Sequence, residues 1–208
     1  QLFKDNKNIH SIKPLVSDIN AKGDDNHDPE KPIFTWFQDT PIGKELFVVF
    51  YTQKCEWSRC SFCTLPSESS TKLVHKDAIR AQCDYVFENL NSWQKKSIKR
   101  IFLSNNGSML NQEIVSSESL SYICQIAYKE LPNLEIICLE TRFDTVEEWE
   151  LEDHLEDYAS MHDIYIKEHR IAKEPAQLQI SAGYETQDTY LRNNVLCKGY
   201  SEEEVVSF

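Results

Sequence analysis

Short continuous apolar runs alternate along the chain with longer amphipathic stretches. The first run, Leu46-Phe-Val-Val-Phe-Tyr51, is unbroken, rich in β-branched and aromatic residues, and preceded by Pro41-Ile-Gly43. Such a run predicts a strand buried on both faces. From about His75 to Trp93, the residues Ala78, Ile79, Cys83, Val86, Phe87 and Leu90 recur at helical steps, marking one face of an amphipathic helix. Residues 97–103 then predict a second buried strand, closed by the turn signal Asn105-Asn-Gly107.

The pattern repeats. Ser116 is a helix start, Leu120, Ile123, Cys124, Ala127 and Leu131 form the buried face, Pro132 is the stop, and residues 134–139 are a third strand. An acidic segment runs from Asp144 to about Lys173, and its Glu/Asp density at 147–157 predicts a solvated helical face. Residues 177–183 read as a fourth strand, and residues 186–194 and 201–208 as two short helical patterns. Residues 1–32 are polar, lack a sustained apolar period, and read as an irregular N-terminal extension.

Strands alternating with helices predict an α/β domain around a parallel sheet. Four such units are visible, too few to close a barrel, so residues 33–208 are expected to be the N-terminal portion of a partial (βα)n TIM barrel that continues past Phe208. The chain has 208 residues, 40% of them hydrophobic, enough for one sizeable core. The first residue is Gln1, not Met, and no signal-peptide pattern follows, so the sequence is expected to begin inside a longer protein. The longest apolar run falls far short of the roughly 18–20 residues that span a bilayer.

Charge narrows the partners. Lys and Arg total 22 against 34 Asp and Glu, a net charge of −12, and such a surface repels phosphate. A nucleic-acid substrate would need a local basic patch. The densest basic run, Lys95-Lys-Ser-Ile-Lys-Arg100, reads as a solvated helix end. Seven cysteines, an odd number, do not suggest a disulfide framework, and a reducing, cytoplasmic setting is expected. Cys83, Cys124, Cys138 and Cys197 stand singly in apolar or amphipathic stretches and read as buried, unreactive thiols.

The other three thiols are clustered. Cys55, Cys60 and Cys63 lie within nine residues directly after the first predicted strand, spaced C-x4-C-x2-C. A compact cysteine loop lets several thiolates reach one soft metal centre. Three sulfurs are one short of a closed structural site, which leaves open a cluster with one iron not ligated by protein. Two alternatives stand beside it: a zinc site completed by His75, serving structure or partner binding, and a surface loop whose thiols bind nothing.

This loop resembles that of the radical S-adenosylmethionine superfamily, in which three cysteines after the first strand of a partial barrel hold a [4Fe–4S] cluster, though the first gap here is one residue longer than the usual C-x3-C-x2-C. The likeness extends to Ser104-Asn-Asn-Gly107-Ser108 after strand two, Glu140-Thr-Arg142 after strand three, and Ser181-Ala-Gly183-Tyr-Glu185-Thr with Leu191 and Lys198-Gly199-Tyr200. These are similar to motifs of the branch containing the Elongator catalytic subunit and the archaeosine-forming radical enzyme. All four segments fall at strand carboxyl ends, where parallel α/β barrels gather their functional side chains.

The resemblance implies a [4Fe–4S] cluster on Cys55, Cys60 and Cys63, with S-adenosylmethionine on the open iron and its cleavage yielding a 5′-deoxyadenosyl radical. It implies Phe62 against the adenine and Asn105, Asn106, Gly107 and Ser108 near the methionine amino group. Glu140 would accept from the ribose hydroxyls or the ammonium, Arg142 would fork onto the carboxylate, and Glu185 is a further contact. The implied partners are a small-molecule, nucleoside or tRNA substrate, an electron donor such as a flavodoxin or ferredoxin, and a partner protein.

Overall fold

A computed structural model describes residues 22–145 and 176–207. They form a five-stranded sheet in the order β1-β2-β3-β4-β5, made of Phe34–Thr40, Gly43–Val49, Ile98–Ser104, Ile136–Thr141 and Gln177–Ala182. Strands β2 to β5 are parallel, as the alternation predicts, but β1 pairs antiparallel with β2. The sheet is therefore mixed rather than wholly parallel. No strand is read before Leu46 from the sequence, because six of the seven β1 residues stay exposed and the segment carries no buried period. Backbone pairing with β2 across the two-residue turn Pro41-Ile42 holds it instead.

Between β2 and β3 the single long helix expected at residues 75–93 is two helices, α1 at Lys76–Glu88 and α2 at Ser92–Ser97. The break has a local cause. Asn91 accepts from the backbone N–H groups of Trp93 and Gln94, while the Gln94 side chain accepts from the Asn91 N–H, a reciprocal cap that starts a new helix. Helix α3, Ser117–Glu130, links β3 to β4, and Ser116 caps it through its hydroxyl as its sequence position predicts. The crossover from β4 to β5 contains residues 146–175, so the expected acidic helical face at 147–157 lies outside the described residues. The chain ends in a helical turn at Leu191–Val195 and a short helix α4 at Glu202–Ser207.

Alternation along the strands divides the sheet into two faces. Leu46 and Val48 of β2, Ile101 and Leu103 of β3, and Ile137 and Leu139 of β4 are buried with Ile79, Cys83 and Val86 of α1 and Leu120, Ile123 and Ala127 of α3. The opposite face carries an aromatic row. Trp36 stacks on Phe47 at 4.0 Å between ring centroids, and Phe47 on Phe102 at 4.3 Å. Beside the row, Arg100 pairs with the buried Glu45 at 2.9 Å.

Three of the four basic residues of the run from Lys95 to Arg100 meet carboxylates: Lys95 meets Glu130, Lys99 meets Glu135 and Arg100 meets Glu45. The last part of the polar N-terminal segment also packs on the domain. Gln82 donates to the Pro29 carbonyl at 2.8 Å, and Tyr51 donates through its hydroxyl to the Asp24 carbonyl at 2.6 Å. No helix among the described residues is long and apolar enough to cross a membrane.

Candidate functional site

Four connecting segments leave the carboxyl ends of the four parallel strands on the same side of the sheet. The first, after β2, is the cysteine loop. Its stem is closed by backbone bonds, with Ser70 N–H donating to the Thr52 carbonyl and Lys54 N–H to the Ser70 carbonyl, each at 2.9 Å. Within it, Cys63 N–H donates to the Cys60 carbonyl at 3.2 Å, and the Ser58 hydroxyl donates to the Cys55 carbonyl with Ser58 at a positive φ of 40°.

Cys55, Cys60 and Cys63 all line one cleft of about 130 Å³. So do Phe62, Asn106, Gly107, Glu140, Arg142 and Glu185, which brings residues from all four strand ends to a single mouth. Of the residues singled out from sequence, only Asn105 and Ser108 are absent from that lining. Ser108 lines an adjoining cavity of about 190 Å³ that shares Cys55, Gly107 and Arg142 with the first.

The segment after β3 is built from its own side chains. Asn105 donates to the Ser108 carbonyl at 3.0 Å and accepts from Gly107 N–H at 3.2 Å, which uses its amide to shape the turn. Asn106 adopts a left-handed φ of 61°, a conformation Asn tolerates better than most residues. The Ser108 hydroxyl bonds to Thr141 at 2.6 Å and to Thr145 at 2.7 Å, tying this turn to the end of β4. Gly107 faces the cysteine loop: a Cβ there would stand 3.4 Å from both Cα and Cβ of Cys55.

Glu140 accepts a hydrogen bond from the Ser104 hydroxyl, so the ends of β3 and β4 are tied at the cleft floor. Burial pushes its carboxyl up, with the Ser104 bond and the Lys198 charge pulling the other way. Arg142 is buried and bidentate to Asp144, with Nε and Nη2 each at 2.8 Å, and its Nη2 also donates to the Lys198 carbonyl at 3.2 Å. The fork expected to meet a ligand carboxylate is therefore engaged by Asp144. Burial lowers the pKa of its guanidinium, but Asp144, Tyr200 and Cys55 together outweigh that and the net direction is up.

Glu185, left-handed at φ 65°, pairs with Lys198 across 3.1 Å. Lys198 is a charged cleft residue that the site assignment from sequence leaves out, although it stands in the quoted Lys198-Gly199-Tyr200 step. Its ammonium lies in the cleft wall, 5.7 Å from the Phe62 ring centroid and 5.4 Å from that of Tyr200. Burial pushes the Cys60 thiol up, and Lys198 and then Arg142 draw it back toward the thiolate. Burial also raises Cys63, opposed by a hydrogen bond from the Leu65 backbone.

The donor set suits an iron–sulfur centre. Three soft thiol ligands share one cleft, two cations beside Cys60 favour its anion, and Gly107 keeps the approach to Cys55 free of a side chain. Among the described residues, however, no three His, Cys, Asp or Glu side chains stand close enough to hold a metal ion as they are. Thiols gain nothing from crowding together by themselves, and the convergence expected of metal ligands needs the cation that would draw them in. His75 does not join them: its ring caps α1 by accepting from Asp77 N–H at 3.3 Å. Cys83, Cys124 and Cys138 are buried as expected, whereas Cys197 is half-buried beside the cysteine loop.

No family model matches the chain, and no curated protein matches it. Among solved structures it is similar to the queuine lyase from Clostridium spiroforme bound to SAM and queuine, with a TM-score of 0.51 and 17% sequence identity. The match covers 83% of this chain and 63% of that one, so this chain spans less than two thirds of the lyase. The likeness is one of fold: a five-stranded α/β sheet arranged like part of a SAM-bound lyase.

Proposed function

We propose that this chain is the cofactor-binding portion of a radical S-adenosylmethionine enzyme, with residues 33–208 forming the N-terminal part of a partial barrel and residues 1–32 an extension. The observation that carries this reading is the convergence of Cys55, Cys60, Cys63, Glu140 and Glu185 on one cleft at the carboxyl ends of neighbouring parallel strands. Cys55, Cys60 and Cys63 are the residues that would hold a [4Fe–4S] cluster, which when bound supplies the electron for reductive cleavage of S-adenosylmethionine to a 5′-deoxyadenosyl radical.

The chain's own residues bind and orient. Lys198 and Arg142 offset the negative charge of the thiolates. Glu140 and Glu185 offer carboxylates to the ammonium and hydroxyl groups of S-adenosylmethionine. Phe62, half exposed in the cleft wall, offers a flat face to a purine ring. Arg142 acts mainly through the Asp144 pair, setting the position of the cleft wall.

For the substrate, the SAM and queuine held by the structural neighbour support a small molecule of nucleobase or nucleoside type. The net charge of −12 and the ion pairs of Lys95 and Lys99 count against this segment as a tRNA platform. An acidic surface calls for an electron donor, a flavodoxin or ferredoxin, that docks through a local contact rather than by long-range attraction.

Anaerobic reconstitution tests the reading. The expected product is a brown protein with about four irons and four sulfides per chain, which cleaves S-adenosylmethionine to 5′-deoxyadenosine under dithionite. Cys60→Ala should lose both properties. Uptake of zinc alone, or cleavage that persists in Cys60→Ala, overturns it.

A further inference from the structure

The stem of the cysteine loop is held by backbone bonds, but its middle is held differently. Ser61 N–H donates to the Leu196 carbonyl at 3.0 Å, and the Ser61 hydroxyl to the Val195 carbonyl at 2.7 Å. Trp57 donates through its indole N–H to the Cys197 carbonyl. The loop is thus pinned on both sides of Cys60, at Trp57 and at Ser61, to a segment that comes 134 to 140 residues later in the chain.

That segment is shaped to receive it. Gly199 lies at φ +77°, and a Cβ there would overlap ring atoms Cζ2 and Cη2 of Trp57 and come within 2.7 Å of Cε2. Asn193 holds the bend, its side-chain oxygen accepting from Gly199 N–H and Tyr200 N–H at 3.1 Å each and its amide donating to the Tyr200 carbonyl at 2.6 Å. The turn of helix before it, Leu191–Val195, has π-type pairing, a form often found where a local constraint is functional. Arg142 closes the arrangement, with its guanidinium 5.5 Å from the Trp57 ring and 4.7 Å from the Tyr200 ring.

We infer that Trp57 is a wedge seated against Gly199 and Arg142, by which residues 193–200 position the loop carrying Cys55, Cys60 and Cys63. Trp57, Gly199 and Asn193 are positioning residues, acting on the thiols through the loop backbone. The inference rests on the proposed role of those thiols as cluster ligands, but its structural half stands without the cluster. The ring fixes the long first gap, C-x4-C, whose residues 56–59 have no backbone hydrogen bond to a strand among those that the structure shows.

The test is thiol labelling of the metal-free chain, kept reduced and anaerobic, with iodoacetamide and peptide mapping, in Trp57→Phe, Trp57→Ala, Gly199→Ala and the Trp57→Ala/Gly199→Ala pair. Expected is about a tenfold faster labelling of Cys60 and Cys63 in Gly199→Ala and Trp57→Ala, while Cys83, Cys124 and Cys138 stay protected. Trp57→Phe, which keeps a ring but not the N–H, should fall between these and the native chain. Gly199→Ala also strains the backbone at φ +77°, a part that persists without the ring, but its overlap with the indole disappears there, so it should add clearly less in the Trp57→Ala background. Labelling unchanged in both single variants, or a Gly199→Ala effect undiminished when the ring is gone, overturns the wedge. Should Gly199→Ala expose Cys83 and Cys124 as well, it has unfolded, and the order native, Trp57→Phe, Trp57→Ala decides. After reconstitution, iron content and the low-temperature spin-resonance signal of the reduced cluster should follow the same order. A native chain that takes up no iron rejects the cluster reading, while the labelling result still judges the wedge.

Discussion

Lys198 reaches Glu185 across the cleft mouth with Nζ 3.1 Å from Oε1, and Gly183 is the residue that makes room for the pair. A Cβ at Gly183 would stand 3.0 Å from the Glu185 oxygen and 3.1 Å from the Lys198 nitrogen, closer than side chains normally tolerate. The pair spans two successive connections, the turn after β5 and the bend before α4. It places one cation where it acts at once on Cys60, Cys63 and Glu140.

Replacing Lys198 by Met should therefore be felt at several groups. With the cation gone, nothing from that side opposes the burial that raises Cys60, so the pH profile of Cys60 alkylation should move to higher pH. Glu185 loses its partner, and S-adenosylmethionine binding, followed by equilibrium dialysis, should weaken by about tenfold through the disordered carboxylate. Lys198→Arg should restore most of both. An unmoved alkylation profile in Lys198→Met would show that the cation does not act on the thiol.

Much of this arrangement is legible in the sequence, because it depends on order. Strand runs at Leu46, Ile98, Ile136 and Gln177 are each followed by a segment rich in functional side chains, and the structure brings those segments to one cleft. Strand β1 is not legible, since Phe34, Trp36 and Phe37 are exposed and only pairing with β2 makes them a strand. The contact of Trp57 with Gly199 is also silent in the sequence, although Gly199 stands in the quoted Lys198-Gly199-Tyr200 step: nothing local marks an indole seated on a glycine in a different connection. Arg142 is a third kind of case. Its motif is visible, but the same short stretch hides that Asp144, two residues on, takes up its fork.

The packing of α1 against α3 carries a pH signature. Glu118 of α3 receives hydrogen bonds from Lys76 and then from Arg80 of α1, which hold its carboxyl down at about 2 against an ordinary value of 4.5. A depressed carboxylate contributes stability that is present above the unfolded value and lost as pH falls through the folded one. The difference in melting temperature between the native chain and Glu118→Gln should thus be constant above pH 4.5 and shrink toward zero near pH 2. The groups are exposed, so high salt should reduce the difference. A difference independent of pH would show that Glu118 acts by packing alone.

Gln82 is the residue that fixes the start of the cysteine loop to helix α1. It sits on the apolar face of the helix, fully buried, where an aliphatic side chain would be expected. Its side-chain oxygen accepts from Tyr51 N–H at 2.7 Å, and its amide donates to the Tyr51 carbonyl and to the Pro29 carbonyl, each at 2.8 Å. Tyr51 has just left β2, so its backbone groups have no strand partner, and Gln82 pairs with them as a neighbouring strand would. Substitution by Met keeps the volume but strands the buried N–H and carbonyl of Tyr51, while the carbonyl of the exposed Pro29 can turn to water, so Gln82→Met should lose on the order of 3 kcal/mol in chemical denaturation. Leu at the same place should lose a similar amount, because the cost lies in the backbone groups rather than in a cavity. The loss should also reach the site, since Thr52, Gln53 and Lys54 follow directly and lead into Cys55: iodoacetamide should label Cys55 faster in Gln82→Met than in the native chain. A stability loss below about 1 kcal/mol with unchanged Cys55 labelling would mean that water satisfies Tyr51 as well as Gln82 does.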